Sequence, residues 1–144
     1  MPSPHPVILC GKTEAIGAVV IENLKPEFEV IHFVQTVEAG KQQIPVLLRG
    51  GDPGRIGSNM GSKNYEKTPV AVLLGGAFND QDIKELREAN KGTKEVPWLR
   101  PDTTKPAPPP GPEYGKAMVA RIKETMKELE ETNKLDGNGD VVWF

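Results

Sequence analysis

A three-layer α/β sandwich with a mainly parallel sheet is the fold this sequence predicts, and three observations predict it. The run Val7, Ile8, Leu9, Cys10 stops at Gly11 and passes at once into a helical pattern; the run Pro69 to Leu74 stops at Gly75 and Gly76 and does the same. Between them, strand, helix and strand follow one another in under thirty residues, a spacing that parallel pairing through a right-handed crossover explains.

After Gly11, Thr13 is placed to cap a helix whose apolar positions Ile16, Val19, Val20 and Leu24 recur at three and four, with Pro26 just past its end. Phe28 to Val34 is rich in β-formers and nearly continuous in apolar character, the pattern of a strand with little exposed face. Val37 to Arg49 carries weaker signals, a short helix near Glu38 to Gln43 and a turn after Pro45. Residues 50–64 hold five glycines (50, 51, 54, 57 and 61) with Pro53, a long loop that reads either as a lid or as a solvated connection. Asn79 or Asp80 then caps a helix running through Ile83, Leu86 and Ala89 to Gly92.

Val96 to Leu99 is a short fourth strand, and Pro101 to Pro112 contains six of the 14 prolines, so an extended polyproline strap is expected there. A long amphipathic helix is predicted over Glu113 to Leu135, with Met118, Val119, Ile122, Met126 and Leu129 inward. The tail Val141 to Phe144 is apolar enough to dock on its own domain or on a partner. The whole is one domain, with a sheet of four or five strands, since 144 residues suit a single core.

Charge and composition exclude several classes. The 18 basic and 20 acidic residues create no field that would draw nucleic acid or an anionic membrane. No apolar run approaches the roughly 20 residues of a membrane span, Met1 to Pro6 lacks a signal-peptide core, and one cysteine cannot form an internal disulfide; a cytoplasmic protein is the expectation. A homodimer is compatible with the apolar tail and an uncovered sheet edge.

In a parallel sheet, ligands sit at the carboxyl ends of the strands where strand order reverses. That rule singles out Gly11, Lys12 and Thr13, with Gly17, Thr36, Gly75, Gly76, Phe78 and Arg100, as the edge of a cleft for a small anionic ligand. The P-loop reading of Gly11-Lys12-Thr13 fails because Pro6 stands where that motif needs its first glycine. Gly11 and Gly17 match the first and last glycines of a dinucleotide-binding turn, with Thr13 where the middle glycine belongs; Glu38 lies at about the offset of a ribose-binding acid, but past the expected strand end. Equally, these glycines serve turn and packing geometry alone.

On these residues the chain resembles the Rossmann-like NAD(P)-binding superfamily, with a Rossmann-like or flavodoxin-like sheet, and a group of small fungal proteins sharing the first turn and Pro97-Trp98-Leu99-Arg100-Pro101-Asp102. The resemblance implies a nucleotide site at Gly11 to Thr13 assisted by Gly75 and Gly76, with NAD or NADP as cofactor and an oxidoreductase as the enzymatic form. It implies no particular substrate.

Other chemistry is weaker. Cys10 stands before a helix N-terminus, where a thiol can become a nucleophile, but the arginine of a phosphatase loop is absent, Ile16 holding its place. His5 and His32 have no partner at ligand spacing, and His32 reads as a hydrogen-bonded strand residue. Asp136, Asn138 and Asp140 imitate the start of a calcium loop that Val141 and the chain end interrupt, so no metal is expected. Arg55, Ser58, Lys63 and Tyr65 could close the long loop over an anion, and Trp98 could stack on a ligand. Pro106 to Pro110 lacks the flanking basic residue of a polyproline ligand and reads as a strap over the cleft. No acid, base and nucleophile assemble into a catalytic set, which keeps open a noncatalytic interaction module using the strap and the aromatic tail as contact surfaces.

Overall fold

The computed structural model describes residues 4–54, 60–109, 111–135 and 139–144. The elements, in order, are β1 (His5–Cys10), α1 (Glu14–Leu24), β2 (Phe28–Val34), α2 (Val37–Leu48), β3 (Ala71–Leu74), α3 (Asp80–Ala89), β4 (Trp98–Arg100), α4 (Pro112–Glu131) and β5 (Val141–Trp143). The five strands form one sheet in the order β2-β1-β3-β4-β5, every neighbouring pair parallel. Order reverses between β1 and β3, the switch point of a flavodoxin-like layout.

Alternation along the strands divides the core into two halves. Val7, Leu9, Val30, Phe33, Leu73 and Leu99 face α1 and α4. Ile8, Cys10, Ile31, Val72, Leu74 and Trp98 face α2 and α3. Both faces are covered, so the central strands are apolar throughout, as the sequence patterns require.

Three elements depart from the sequence reading. The weak helix and turn of Val37 to Arg49 are one helix, α2, with Pro45 inside it. Ile44, Leu47 and Leu48 are buried by that single helix, and their packing outweighs the hydrogen bond that Pro45 cannot donate. The strap is not extended from its start: Asp102 folds residues 102–105 into a turn, its carboxylate accepting from Thr104 N–H at 3.0 Å and its carbonyl from Lys105 N–H at 3.1 Å. Beyond it, an Arg121 guanidinium N–H on α4 donates to the Pro106 carbonyl, pinning the strap to the helix.

α4 ends at Glu131, four residues before the predicted stop at Leu135. Asn133 takes a left-handed conformation (φ 59°), Lys134 N–H donates to Leu129 O, and Asn133 N–H donates to Glu130 O. These paired bonds close the helix without glycine.

The tail docks on its own domain. β5 pairs with β4, Phe144 is buried, and its carbonyl accepts from Asp102 N–H at 2.7 Å.

The last crossover has the opposite hand to the two before it. The connections through α2 and α3 step toward the β5 edge with their helices on one face, and β1-α1-β2 steps the other way with its helix on the other face, so all three share one hand. β4-α4-β5 steps in the same direction, yet α4 lies on the other face beside α1. α1 alone is too narrow to cover Leu73 and Leu99 as well as β1 and β2. α4 supplies that cover, and on the opposite face, where Trp98 of β4 is buried with Ile83 and Leu86 of α3, it leaves β5 without a helix of its own.

The edge strand β2 is protected by the long loop. At a bulge in β2, Val7 pairs with Val30 while Ile8 pairs with His32, leaving Ile31 between them. Ser62 N–H and Lys63 N–H donate to Val30 O and Ile31 O at 2.8 and 2.9 Å. Gly61, with φ 94°, lies so close to the Ile31 and His32 backbone that a side chain there has no room. The described part of this loop is therefore bound to the sheet and not a free lid; Arg55 and Ser58 lie outside the described residues.

His32 joins three elements. Its Nδ1 accepts from the Tyr65 hydroxyl at 2.8 Å, and its Nε2–H donates to Gln43 Oε1 at 2.5 Å. Burial is the main cause holding its pKa below the ordinary value, opposed by the Gln43 bond, with Lys63 lowering it further. A histidine of about 6.5 in the unfolded chain therefore takes up its proton on unfolding, and stability falls as pH drops below about 6.5. In denaturant titrations, His32→Leu is less stable than the native chain at pH 7.5, and the gap narrows at pH 5.5; a gap that is constant or widens contradicts this role.

Candidate functional site

A cleft of about 380 Å³ opens at the switch point, between the carboxyl ends of β1 and β3. Its rim is made by the two turns of the strand-glycine-helix units, Gly11 to Thr13 and Gly75 to Ala77. Gly11 N–H donates to Val34 O at 2.9 Å and Gly75 N–H to Cys10 O at 2.7 Å, so the sheet's ladder continues into both turns and fixes them against each other. Those two amides are spent. The donors left for a ligand are in the first turn of α1, where Thr13 holds the N-cap position without its hydroxyl bonding the backbone.

The interior is apolar. Ile16 and Val20 from α1, Phe33 from β2, Met118 and Ile122 from α4, and Phe144 from the tail form its wall. Gly17 admits Phe33 to this wall, since a Cβ there would stand 2.7 Å from the ring. Pro101 and Thr103 show that the strap's first turn does close one side. Polar side chains are few: Thr13, Thr103 and the Tyr114 hydroxyl beside Gly76.

Lys12 is turned away from this wall. Its ammonium lies 3.8 Å from the Asp82 carboxylate and 5.3 Å from the centre of the Phe78 ring, both on the far face of the sheet.

Of the residues singled out in the sequence, Gly11, Lys12, Thr13, Gly17, Gly75 and Gly76 meet in the cleft. Thr36, Phe78 and Arg100 do not line it. Thr36 follows β2, one strand beyond the switch point, and caps α2 by accepting from Ala39 N–H at 3.1 Å. Phe78 is buried against α2 and α3. Arg100, one residue after inward Leu99, points to the opposite face, binds Asp80 at 2.6 Å and covers the Trp143 ring at 4.2 Å. Trp98 lies on that same face.

The residues that sequence reasoning missed are Phe33, Tyr114, Met118 and Phe144. Their periodicity marks them as core, but only the side on which α4 and the tail pack brings them to the cleft.

Cys10 is wholly buried, and burial pushes its thiol far above the ordinary range. Such a thiol is no nucleophile at neutral pH. Among the described residues no cluster of His, Cys, Asp and Glu could hold a metal ion, and no described helix is long and apolar enough to cross a membrane. Asp136 and Asn138 lie outside the described residues.

The chain is 40% identical over 139 residues to kojic acid related protein 6 of Aspergillus oryzae, covering 94% of this chain and 84% of that protein. The chain belongs to the kojic acid related protein 6 family. No protein-family model matches it, and no solved structure does. Because 84% of the relative is covered, the family shares most of its length with the sandwich described above and not a fragment of it.

Proposed function

We propose that this chain binds a nucleotide or another compact anionic ligand at the β1/β3 switch point, in a Rossmann-like manner. One observation carries the reading: a cleft with apolar walls opens against the first turn of α1, whose N–H groups Thr13 leaves uncapped. Positive helix ends favour anions, and apolar walls favour a flat ring.

The size of the cleft, near the lower end of the roughly 300–1,000 Å³ typical of ligand sites, favours one ring and one anionic group. A nicotinamide dinucleotide would leave part of itself outside. An NAD(P)-dependent oxidoreductase remains the enzymatic form of the proposal, with Gly11 and Gly17 at the turn and the Tyr114 hydroxyl facing the ligand.

The test is a thermal-shift panel of NAD, NADP, their reduced forms, FMN, AMP and ATP, to which the relative's name adds kojic acid. A ligand at 100 times its dissociation constant stabilises the native state by about 2.7 kcal/mol, a rise of about 8 °C for a chain of this size. Gly76→Val should abolish the rise, because its side chain meets the Tyr114 hydroxyl at the cleft mouth while its own backbone tolerates a Cβ. A panel with no shift, or a shift unchanged in the variant, overturns the proposal.

A further inference from the structure

A groove of about 640 Å³ runs between α3 and β5 on the face opposite α4. Its floor is Val141, packed over the buried Trp98, one wall is α3, and the other side ends at Trp143, the sole large apolar side chain in the described residues that is strongly exposed, at 51%. Lys84 and Arg87, three apart on α3, and Lys91, just past its C-cap Asn90, line that wall, the Arg87 guanidinium donating to Gly139 O at 2.7 Å.

The groove lining carries five basic and three acidic side chains, on a protein whose net charge is -2. Asp80 is taken by Arg100, while the ammonium groups of Lys84 and Lys91 are exposed and make no ion pair or hydrogen bond among the described residues. Asn90 Oδ1 and Arg100 Nε, from lining residues at the two ends of α3, are buried without partners among the described residues.

A parallel sheet is stable when helices cover both faces, and here no helix lies over β5, whose exposed face meets Lys84 and Lys91 on one side and Trp143 on the other. We propose that the groove docks an acidic amphipathic helix of another protein, its apolar stripe on Val141 and Trp143 and its carboxylates on Lys84 and Lys91. This is the helix-in-groove mode, with charge setting orientation. It is independent of the cleft, which opens on the other face.

The experiment selects a displayed library of random 16-residue peptides on the full chain, then measures the enriched peptides by fluorescence anisotropy. The expected peptides carry Asp or Glu together with Leu, Ile or Phe at spacings of three and four. They bind at least tenfold more weakly to the K84E/K91E double variant and to W143A, both of which melt within a few degrees of the native chain. Failure to enrich any peptide over an uncoated control, or enriched peptides that bind both variants as tightly as the native chain, overturns the proposal. So does tight binding of a 20-nucleotide oligo-dT through the same lysines with no peptide selected, which would make the groove a nucleic-acid surface.

Discussion

Replacing Phe33 with alanine lowers stability by about 3–5 kcal/mol, and the melting temperature by about 10–15 °C. The ring is 1% exposed and stands at the junction of β2, the turn at Gly11 and the face of Gly17. Removing it enlarges a cleft that already exists and takes away the contact that positions the first turn of α1. Two consequences follow together, lost stability and lost ligand affinity, whereas a core position remote from the cleft such as Leu86→Ala would show the first alone. Equilibrium unfolding in urea measures the first; a cost below about 1 kcal/mol would show that Phe33 is not an anchor of this wall.

Phe144→Ala costs a comparable amount, about 3–5 kcal/mol, although it is the last residue of the chain. Terminal residues usually fray. This one is 2% exposed, belongs to the core beneath α4, and is held by Phe144 N–H to Arg100 O at 2.9 Å as well as by Asp102. Its neighbour Trp143, half-exposed on the other face, gives the contrast: Trp143→Ala costs under about 1 kcal/mol. Equal effects at 143 and 144 would contradict the assignment of the two residues to opposite faces of β5.

The sandwich was legible because its evidence is local. A strand that ends in glycine and continues as an amphipathic helix announces itself within twenty residues, and both such units fold as read. The capping box at the start of α3, with Asn79 and Asp82 bonding each other's backbone, is equally local. Pro45 misled because propensity is a one-residue property, while the burial of Ile44, Leu47 and Leu48 that overrides it belongs to the assembled sheet. The hand of the β4-α4-β5 connection could not be read at all. It depends on which face of the sheet still needs cover once α1, α2 and α3 are in place.

The same distinction divides the site. Gly11, Gly17, Gly75 and Gly76 were legible since parallel strands bring their carboxyl ends to one edge. Thr36 and Arg100 follow strands too, but side-chain alternation sends Arg100 to the far face and strand order sets Thr36 beside the wrong neighbour. Phe33, Tyr114 and Met118 carry only a core signal in sequence. α4 makes them a wall of the cleft by crossing to the side of α1.

The measurement that tests the account most directly is a titration of the ¹⁵N-labelled chain with FMN, AMP, NAD and kojic acid, followed by amide chemical shifts. The account predicts that at least one compound, at millimolar concentration or below, moves the amides of residues 12–17 and 75–77 and leaves Lys84, Lys91 and Trp143 in place. Shifts confined to α3 and β5, or no shifts with any compound, would contradict a ligand site at the β1/β3 switch point.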